Sequence, residues 1–201
     1  MAESSADPVV THPFDLFTTW FQEAQRSEIG LAEAAALATC DEHGHPTVRM
    51  VLIKEPQAAG FQIFTNLKSP KAHHLKSQPV AELCFHWKSL HRQVRVSGVT
   101  SLLSDQQNDA YFATRPRESQ LGAWASNQSE SIDNREQLDD RYQSLAQEYQ
   151  GHEVPRPPHW GGFLLVPDRY EFWREQPGRM HDRFAYSAQS QGEWVHTRLQ
   201  P

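Results

Sequence analysis

The chain has 201 residues, enough to bury a substantial core in one domain without support from disulfides or metals. Its formal net charge of −6 argues against nucleic acid as a partner, because phosphate backbones are bound by positive surfaces. Apolar runs stay far below the roughly eighteen residues of a membrane span, and the start lacks the basic and apolar regions of a secretory signal. We therefore expect a cytoplasmic protein that binds neither nucleic acid nor a membrane.

Helical patterns occur at the start and in the middle of the chain. Residues 1–12 are expected to form a flexible arm, and residues 13–201 a single domain. Phe14, Phe17 and Phe21 recur at helical spacing behind Pro13, which suits a first helical position. Further helices are predicted for a short segment opened by Ser69 and Pro70, for two pieces of 104–128 and for 133–149.

Strand patterns occupy most of the remaining chain. They are short apolar or alternating segments separated by turn residues. The predicted strands lie on either side of a turn at 41–46 and at 60–66, 79–87, 92–104, 161–167, 170–173, 183–187 and 193–199. Because strands outnumber helices and follow one another closely, the sequence predicts a mainly β (α+β) fold, an antiparallel β-barrel with flanking helices.

Three cations in the first half of the chain are candidates for anion binding. Arg49 lies in an otherwise apolar strand, where a buried guanidinium needs either an internal carboxylate or an anionic ligand, and both stay open. Lys54 follows the same strand and is expected to be a solvated strand end. Lys71 falls in the first turn of a short helix, where the dipole disfavours a cation unless a phosphate is near, although an exposed lysine also fits.

Two later segments also suit an anion. Tyr111, Arg115 and Ser119 recur every four residues, and Pro116 is expected to end one helix so that Ser119 caps the next. A hydroxyl, a guanidinium and a helix cap are the parts of a phosphate site, but a polar surface would look the same. Candidates for bonds to a ligand, or for capping the following helix, are Gln128 and Ser129. A cluster of cations among aromatics near the C-terminus suits a flat anion and contains Trp173, Arg174, Arg179, His181, Arg183 and Phe184.

Several familiar catalytic patterns are missing from the sequence. There is no G-x-G-x-x-G after a strand, no P-loop, no G-x-S-x-G and no C-x-x-C. The 11 histidines form no metal-like set, and the adjacent His73 and His74 would point about 100° apart on a helix, so we assign no metal. Cys40 and Cys84 lie in apolar runs and are expected to be buried, reduced thiols.

Together these segments resemble the pyridoxine/pyridoxamine 5'-phosphate oxidase family. The resemblance runs in order from residue 13 to residue 201, through RMVLIK, FTN-x-KS-x-KA, RQVRVSG, YFATRPRESQLGAWASNQS, PRPPHWGGF and EFW with RMHDRF. It implies an FMN-binding split β-barrel that forms a homodimer, with FMN held between the subunits. It also implies oxidation of pyridoxamine or pyridoxine 5'-phosphate to pyridoxal 5'-phosphate by O2, with release of H2O2.

The same resemblance implies which residues act. FMN would be bound by Arg49, Met50, Val51, Leu52, Ile53, Lys54, Phe64, Thr65, Lys71, Gln93, Gln128, Ser129, Trp173 and Arg183. The substrate phosphate would be bound by Lys54, Tyr111, Arg115 and Ser119. The substrate ring would face Arg179 and His181, which are the catalytic candidates. The family commonly has an arginine where this chain has Pro70, so one cation on the phosphate side is absent.

Two other functions stay open from the sequence. One is a related flavin oxidase that acts on another aromatic substrate, such as a phenazine precursor. The other is a non-catalytic protein that binds FMN or pyridoxal phosphate. The complete set of phosphate-binding candidates favours a phosphate-bearing substrate, because a carboxylate-bearing ring would not need so many phosphate contacts.

Overall fold

The structure is a computed structural model that describes residues 10–201, apart from the side chain of Gln191. Most of the predicted N-terminal arm, residues 1–9, lies outside the described residues. The helices are α1 (Pro13–Ser27), α2 (Pro70–Ser77), α3 (Asp105–Thr114), α4 (Arg117–Ala125) and α5 (Arg135–Glu148). The strands are β1 (Ala34–Cys40), β2 (Pro46–Leu52), β3 (Phe61–Asn66), β4 (Val80–Trp87), β5 (Arg92–Leu102), β6 (Trp160–Arg174), β7 (Asp182–Ala188) and β8 (Trp194–Leu199).

All eight strands belong to one antiparallel sheet. Its order is β2-β1-β4-β5-β6-β7-β8, and β3 pairs with β6 outside this path. β5 follows one edge of β6, whereas β3 pairs with the first part of the other edge and β7 with the last part. The sheet therefore divides between β3 and β7, and the predicted mainly β, antiparallel fold with flanking helices is confirmed.

The prediction of separate strands at 161–167 and 170–173 is wrong, because both belong to the 15-residue strand β6. The register with β5 shifts between Ser97 and Gly98, so that one extra residue of β6 bulges next to Pro167. This bulge accommodates a proline that has no N–H for the ladder. A Cβ atom on Gly98 would lie 2.0 Å from the carbonyl oxygen of Val166, so this close pairing requires glycine.

The main core lies between α1 and the sheet. Helix α1 begins at Pro13 as predicted, and its buried face includes Phe17 and Phe21. The ring of Phe17 lies 5.1 Å from that of Phe61 and 5.2 Å from that of Phe85, both edge-on. Burying each such side chain contributes roughly 1.5–3 kcal/mol. This aromatic packing holds α1 against the sheet that contains the strands of the site.

A second, smaller core lies under the middle helices. Phe112, Leu121, Val154 and Trp160 form its buried part. Helix α5 covers this cluster through residues that are only partly buried, among them Tyr142, Leu145 and, at its C-terminal cap, Tyr149. The second core therefore sets the position of α3 and α4 relative to the start of β6.

The edge strand β2 exposes apolar side chains. Val48 is 65% exposed, Met50 64% and Leu52 44%. The sequence predicts an apolar strand with a buried Arg49, but in the single chain Arg49 is only partly buried and these apolar side chains are exposed. Edge strands of this kind are usually covered by another chain or element. Within residues 10–201, no helix is both long and apolar enough to cross a membrane.

Candidate functional site

A cleft of about 820 Å³ opens between β2, β3 and the α3–α4 region. Its size is typical of small-molecule sites. The predicted site residues that line it are Met50, Val51, Leu52, Lys54, Phe64, Thr65, Lys71, Tyr111, Arg115, Ser119 and Gln128. An adjoining cleft of about 430 Å³ shares Met50, Lys71 and Gln128 and adds Arg49 and Ser129. The fold thus brings most of the predicted residues to one continuous depression.

Arg49 is held by neutral oxygens. Its NH1 donates to the carbonyl oxygen of Leu37 and to Oγ1 of Thr39, both at 2.9 Å, and its NH2 donates to Oγ1 of Thr47. Burial lowers the pKa of Arg49, yet a guanidinium stays charged. The described residues give it no carboxylate, so the internal salt bridge considered from the sequence does not form.

Lys71 lies beside Arg49 and is likewise surrounded by neutral groups. Its Nζ donates to Gln128 Oε1 at 2.9 Å and to Thr65 Oγ1 at 3.2 Å. Burial and then the charge of Arg49 lower the pKa of Lys71. Two neighbouring cations that have no carboxylate partner within residues 10–201 form a local positive site in an acidic protein.

The positions of Gln128 and Ser129 settle one alternative. The cap of α5 is Asn134, whose side chain accepts from the N–H of Gln137, so Gln128 and Ser129 do not cap this helix. Instead, Gln128 Oε1 accepts from Lys71 and from the Thr65 hydroxyl at 3.0 Å. Ser129 adopts a left-handed backbone conformation (φ 72°) at the rim of the smaller cleft.

Arg115 is the third cation of the cleft. Its guanidinium lies over the indole of Trp160, 4.8 Å from the ring centroid, and burial lowers its pKa. The buried NH1 atom of Arg115 has no hydrogen-bond partner among the described residues. A buried donor without an acceptor is costly, and an anionic ligand would satisfy it. This orphaned donor fits the binding of a phosphate.

Tyr111 and Ser119 flank Arg115 from two helices. α3 ends at Thr114 and α4 begins at Arg117, so Pro116 separates the helices as expected. The prediction that Ser119 caps the second helix is wrong, because Pro116 occupies the cap position and Ser119 lies inside the first turn. The break nevertheless leaves Tyr111, Arg115 and Ser119 on the wall of the same cleft.

Lys54 differs from the other cations because it already has a carboxylate partner. Its Nζ lies 2.7 Å from Glu33 Oε1, and this hydrogen bond is the main reason that the pKa of Glu33 is lowered. Lys54, which was expected to be a solvated residue at the end of a strand, therefore forms an ion pair at the cleft. Ile53, the residue before Lys54, is completely buried and lines neither of the two clefts.

The remaining predicted residues lie elsewhere in the single chain. β3 pairs with the first residues of β6, whereas Trp173 lies at the opposite end of this 15-residue strand, which spans about 50 Å at ~3.3 Å per residue if extended. Gln93 and Arg183 pair with Trp173 from the neighbouring strands. The lining of the larger cleft includes none of these five residues. We call them the C-terminal set, because Gln93 pairs with Trp173 of the C-terminal strands; they are Gln93, Trp173, Arg179, His181 and Arg183.

Within this C-terminal set, the groups have distinct surroundings. Arg183 pairs with the buried Glu171 at 2.7 Å, whereas Arg179 is exposed, has a left-handed backbone (φ 63°) and has no carboxylate partner among the described residues. The ring of His181 lies 4.7 Å from that of Trp173, and its Nδ1 accepts the Gln176 N–H at 3.1 Å. The neutral ring therefore carries its proton on Nε2, which can donate to a ligand.

Sequence reasoning missed Trp160 as a site residue. It lines the larger cleft and lies parallel to the ring of Phe64, with 5.2 Å between centroids, and Phe64 in turn stacks on Tyr111 at 3.8 Å. A Cβ atom on Gly162 would lie 2.7 Å from the Phe64 ring, so glycine makes room for this stack. The tryptophan and the two glycines that follow it in PRPPHWGGF were the available signal.

Both cysteines are free but only partly buried, and burial raises the pKa of Cys84.

Solved structures share this architecture. The structure of PhzG from Burkholderia lata, in complex with tetrahydrophenazine-1-carboxylic acid, has a TM-score of 0.90 and 28% sequence identity, and covers 100% of this chain and 98% of the other. A pyridoxamine 5'-phosphate oxidase-related, FMN-binding protein from Nostoc punctiforme has a TM-score of 0.76 at 17% identity, with 98% and 99% covered. The chain thus has the split-barrel fold of flavin-binding proteins, which confirms the predicted fold class.

Sequence comparisons identify the family within this fold class. The profile described as pyridoxamine 5'-phosphate oxidase matches residues 21–148, and that of the pyridoxine 5'-phosphate oxidase C-terminal dimerisation region matches residues 160–201. The proteins named pyridoxine/pyridoxamine 5'-phosphate oxidase from Rhodospirillum rubrum and Mesorhizobium japonicum are 48% and 46% identical, covering 94% of this chain and 96% and 92% of the relatives. The chain belongs to the pyridoxine/pyridoxamine 5'-phosphate oxidase family.

Proposed function

We propose that this protein is an FMN-dependent oxidase that converts pyridoxamine 5'-phosphate and pyridoxine 5'-phosphate to pyridoxal 5'-phosphate, with O2 as acceptor and H2O2 as product. The observation that carries the proposal is the presence of three cations, Arg49, Lys71 and Arg115, in adjoining clefts without a carboxylate partner among the described residues. Cations in two adjoining clefts can bind two separate anions, and FMN and the substrate each carry one phosphate.

The cofactor phosphate would bind at the smaller cleft. Arg49 and Lys71 supply the charge there, and Gln128 and Ser129 supply polar groups at the rim. FMN supplies, when bound, a two-electron acceptor that O2 can reoxidise. The task of this chain is then to orient two ligands and to neutralise their phosphates, which explains why no nucleophile with its base is needed.

The substrate phosphate would bind to Tyr111, Arg115 and Ser119. Arg115 is already positioned by the ring of Trp160 and needs an acceptor for its buried NH1. Lys54 would join this set by exchanging its partner Glu33 for the ligand. Arg179 and His181 would face the substrate ring, and the Nε2–H of His181 would donate a hydrogen bond near the reacting carbon.

A homodimer would complete the site. The C-terminal set lies at the far end of β6 from the cleft of its own chain, and a two-fold partner can bring its own set to that cleft. Two of the exposed apolar side chains of β2, Met50 and Leu52, line the cleft and would be covered by the same partner. The match to a C-terminal dimerisation region over residues 160–201 supports this arrangement.

The relatives favour the phosphate substrate over a phenazine precursor. The structure that holds a phenazine carboxylic acid is 28% identical, whereas the relatives named for pyridoxine/pyridoxamine phosphate are 46–48% identical. A phenazine carboxylate would also leave fewer reasons for the separate cations at Arg115 and Lys71. A merely flavin-binding role would leave Tyr111, Arg115 and Ser119 without a ligand.

The proposal is tested by an aerobic assay of the purified, FMN-loaded protein with each phosphorylated substrate. We expect the absorbance of the aldehyde product and the release of peroxide to rise together in equal amounts. Unphosphorylated pyridoxamine is the matched control and should be oxidised far more slowly. A protein that binds FMN but oxidises neither phosphate substrate would contradict the proposed activity and retain only the fold.

A further inference from the structure

His74 lies behind Arg49 and contacts the two threonines that hold it. Its Nδ1 is 3.2 Å from Thr39 Oγ1 and 3.4 Å from Thr47 Oγ1, and the two hydroxyl oxygens are 3.3 Å apart. Thr39 is 2% exposed, and His74 is half-buried on α2. We call Thr39, Thr47 and His74 the collar of Arg49. They come from β1, β2 and α2, so these three elements meet at one guanidinium.

The available protons determine which groups of the collar donate hydrogen bonds and which accept them. Each threonine oxygen accepts an N–H from Arg49, so each hydroxyl must donate its own proton elsewhere. The ring Nδ1 of a neutral His74 is an acceptor within reach of both hydroxyls. The third bond of Arg49 goes to the carbonyl oxygen of Leu37, and together these bonds leave the remaining N–H groups of the fork for a ligand.

We infer that His74 is a positioning residue for the cofactor phosphate. By accepting from the nearer hydroxyl, that of Thr39, whose oxygen can in turn accept from the Thr47 hydroxyl, it orients the lone pairs of both threonines towards Arg49 and thereby fixes the guanidinium at the smaller cleft. The inference rests on the proposed function, since it takes the anion at this cleft to be the phosphate of FMN. In the first turn of α2 the uncharged Pro70 precedes Lys71, so Arg49 and Lys71 are the two cations that line the smaller cleft, and the orientation of Arg49 matters for binding there.

The adjacent histidine offers a matched control. His73 lies on the same helix but is exposed, and among the described residues its side chain forms a hydrogen bond only with the carbonyl oxygen of Lys68, through Nε2 at 3.1 Å. We compare His74→Leu, which removes the acceptor, with His74→Asn, which keeps a polar group near the position of Nδ1, and with His73→Leu. The dissociation constants of FMN and of riboflavin, which lacks the phosphate, are measured by flavin fluorescence on the apoproteins.

The inference predicts a phosphate-specific defect. His74→Leu should raise the Kd of FMN about 3- to 10-fold, the effect of one hydrogen bond of ~0.5–1.5 kcal/mol, and leave the Kd of riboflavin unchanged. His74→Asn and His73→Leu should stay within about twofold of the wild type. In an Arg49→Met background, His74→Leu should have no further effect, because the histidine acts through the guanidinium.

Two results would overturn the inference while the proposed function stands. One is a His74→Leu variant that binds FMN as tightly as the wild type. The other is a variant that loses FMN and riboflavin affinity equally, which would mean that His74 serves only the fold. A wild-type protein that binds neither flavin would instead refute the proposed function and this inference together.

Discussion

Replacing Lys71 with methionine separates the cost of the cation to the fold from its value to the ligand. Lys71 is half-buried beside Arg49, and burial together with that neighbouring charge lowers its pKa. A lowered lysine pKa means that the charged form is disfavoured in the folded apoprotein, so at neutral pH the cation destabilises it. The acceptors left behind keep a bond to each other, because the Thr65 hydroxyl donates to Gln128 Oε1 at 3.0 Å.

The expected loss of FMN affinity follows from the bond that Lys71 would make. A hydrogen bond between a charged donor and a phosphate contributes ~1.5–3 kcal/mol, which corresponds to a Kd raised roughly 10- to 100-fold. The melting temperature of the apoprotein should stay equal or rise, since a repulsive pair with Arg49 is removed. The two effects therefore have opposite signs, which a general loss of structure cannot produce.

The assay titrates apoprotein with FMN by fluorescence and records thermal melts with and without the flavin. Lys76→Met is the control, because Lys76 lies on the same helix and, within residues 10–201, its Nζ donates a hydrogen bond only to the carbonyl oxygen of Leu67, at 3.1 Å. This control changes the net charge by the same amount and should leave the Kd unaltered. An FMN affinity that is unchanged in Lys71→Met would refute the assignment of this lysine to the cofactor phosphate.

Three further predictions concern the substrate side and the C-terminal strands. Arg179→Ala should lower turnover about 100-fold or more while the protein stays yellow, and retained turnover would contradict its role at the substrate. Arg115→Met should raise the KM for pyridoxamine 5'-phosphate ~10- to 100-fold at an unchanged FMN Kd; an altered Kd with a normal KM would place Arg115 on the cofactor instead. Although burial alone would raise it, hydrogen bonds from Arg174 and Gln176 keep the pKa of Asp182 below its usual range. A depressed carboxyl pKa stabilises the fold above the unfolded pKa and loses that effect as pH falls, so Asp182→Asn should lower the melting temperature at pH 7 and much less near pH 3; an equal loss at both pH values would contradict this.

Local patterns in the sequence predict most of the secondary structure because they report burial directly. The spacing of Phe14, Phe17 and Phe21 predicts α1, and Pro13 marks its first residue. These local patterns fail where the pairing of strands determines the extent of an element. Pro167 interrupts the apolar pattern and suggests two strands, but the ladder with β5 continues across the bulge and makes one strand.

The site was predictable in composition but not in its internal partners. The resemblance names Lys71 and Gln128, yet the bond between their side chains joins residues 57 positions apart, and no local pattern encodes it. For the same reason the ion pair of Lys54 with Glu33 and the support of Arg115 by Trp160 emerge only from the folded chain. The two separate groups of site residues likewise follow from the length of β6.

The most direct test of the proposed function is anaerobic mixing of the FMN-loaded protein with pyridoxamine 5'-phosphate, followed through the yellow absorbance. The proposal predicts that the colour bleaches in a single turnover with formation of one equivalent of aldehyde, and that it returns when O2 is admitted. Unphosphorylated pyridoxamine at the same concentration should bleach it far more slowly. A loaded protein that stays yellow with both phosphorylated substrates would contradict the proposal that electrons pass from this substrate to a bound flavin.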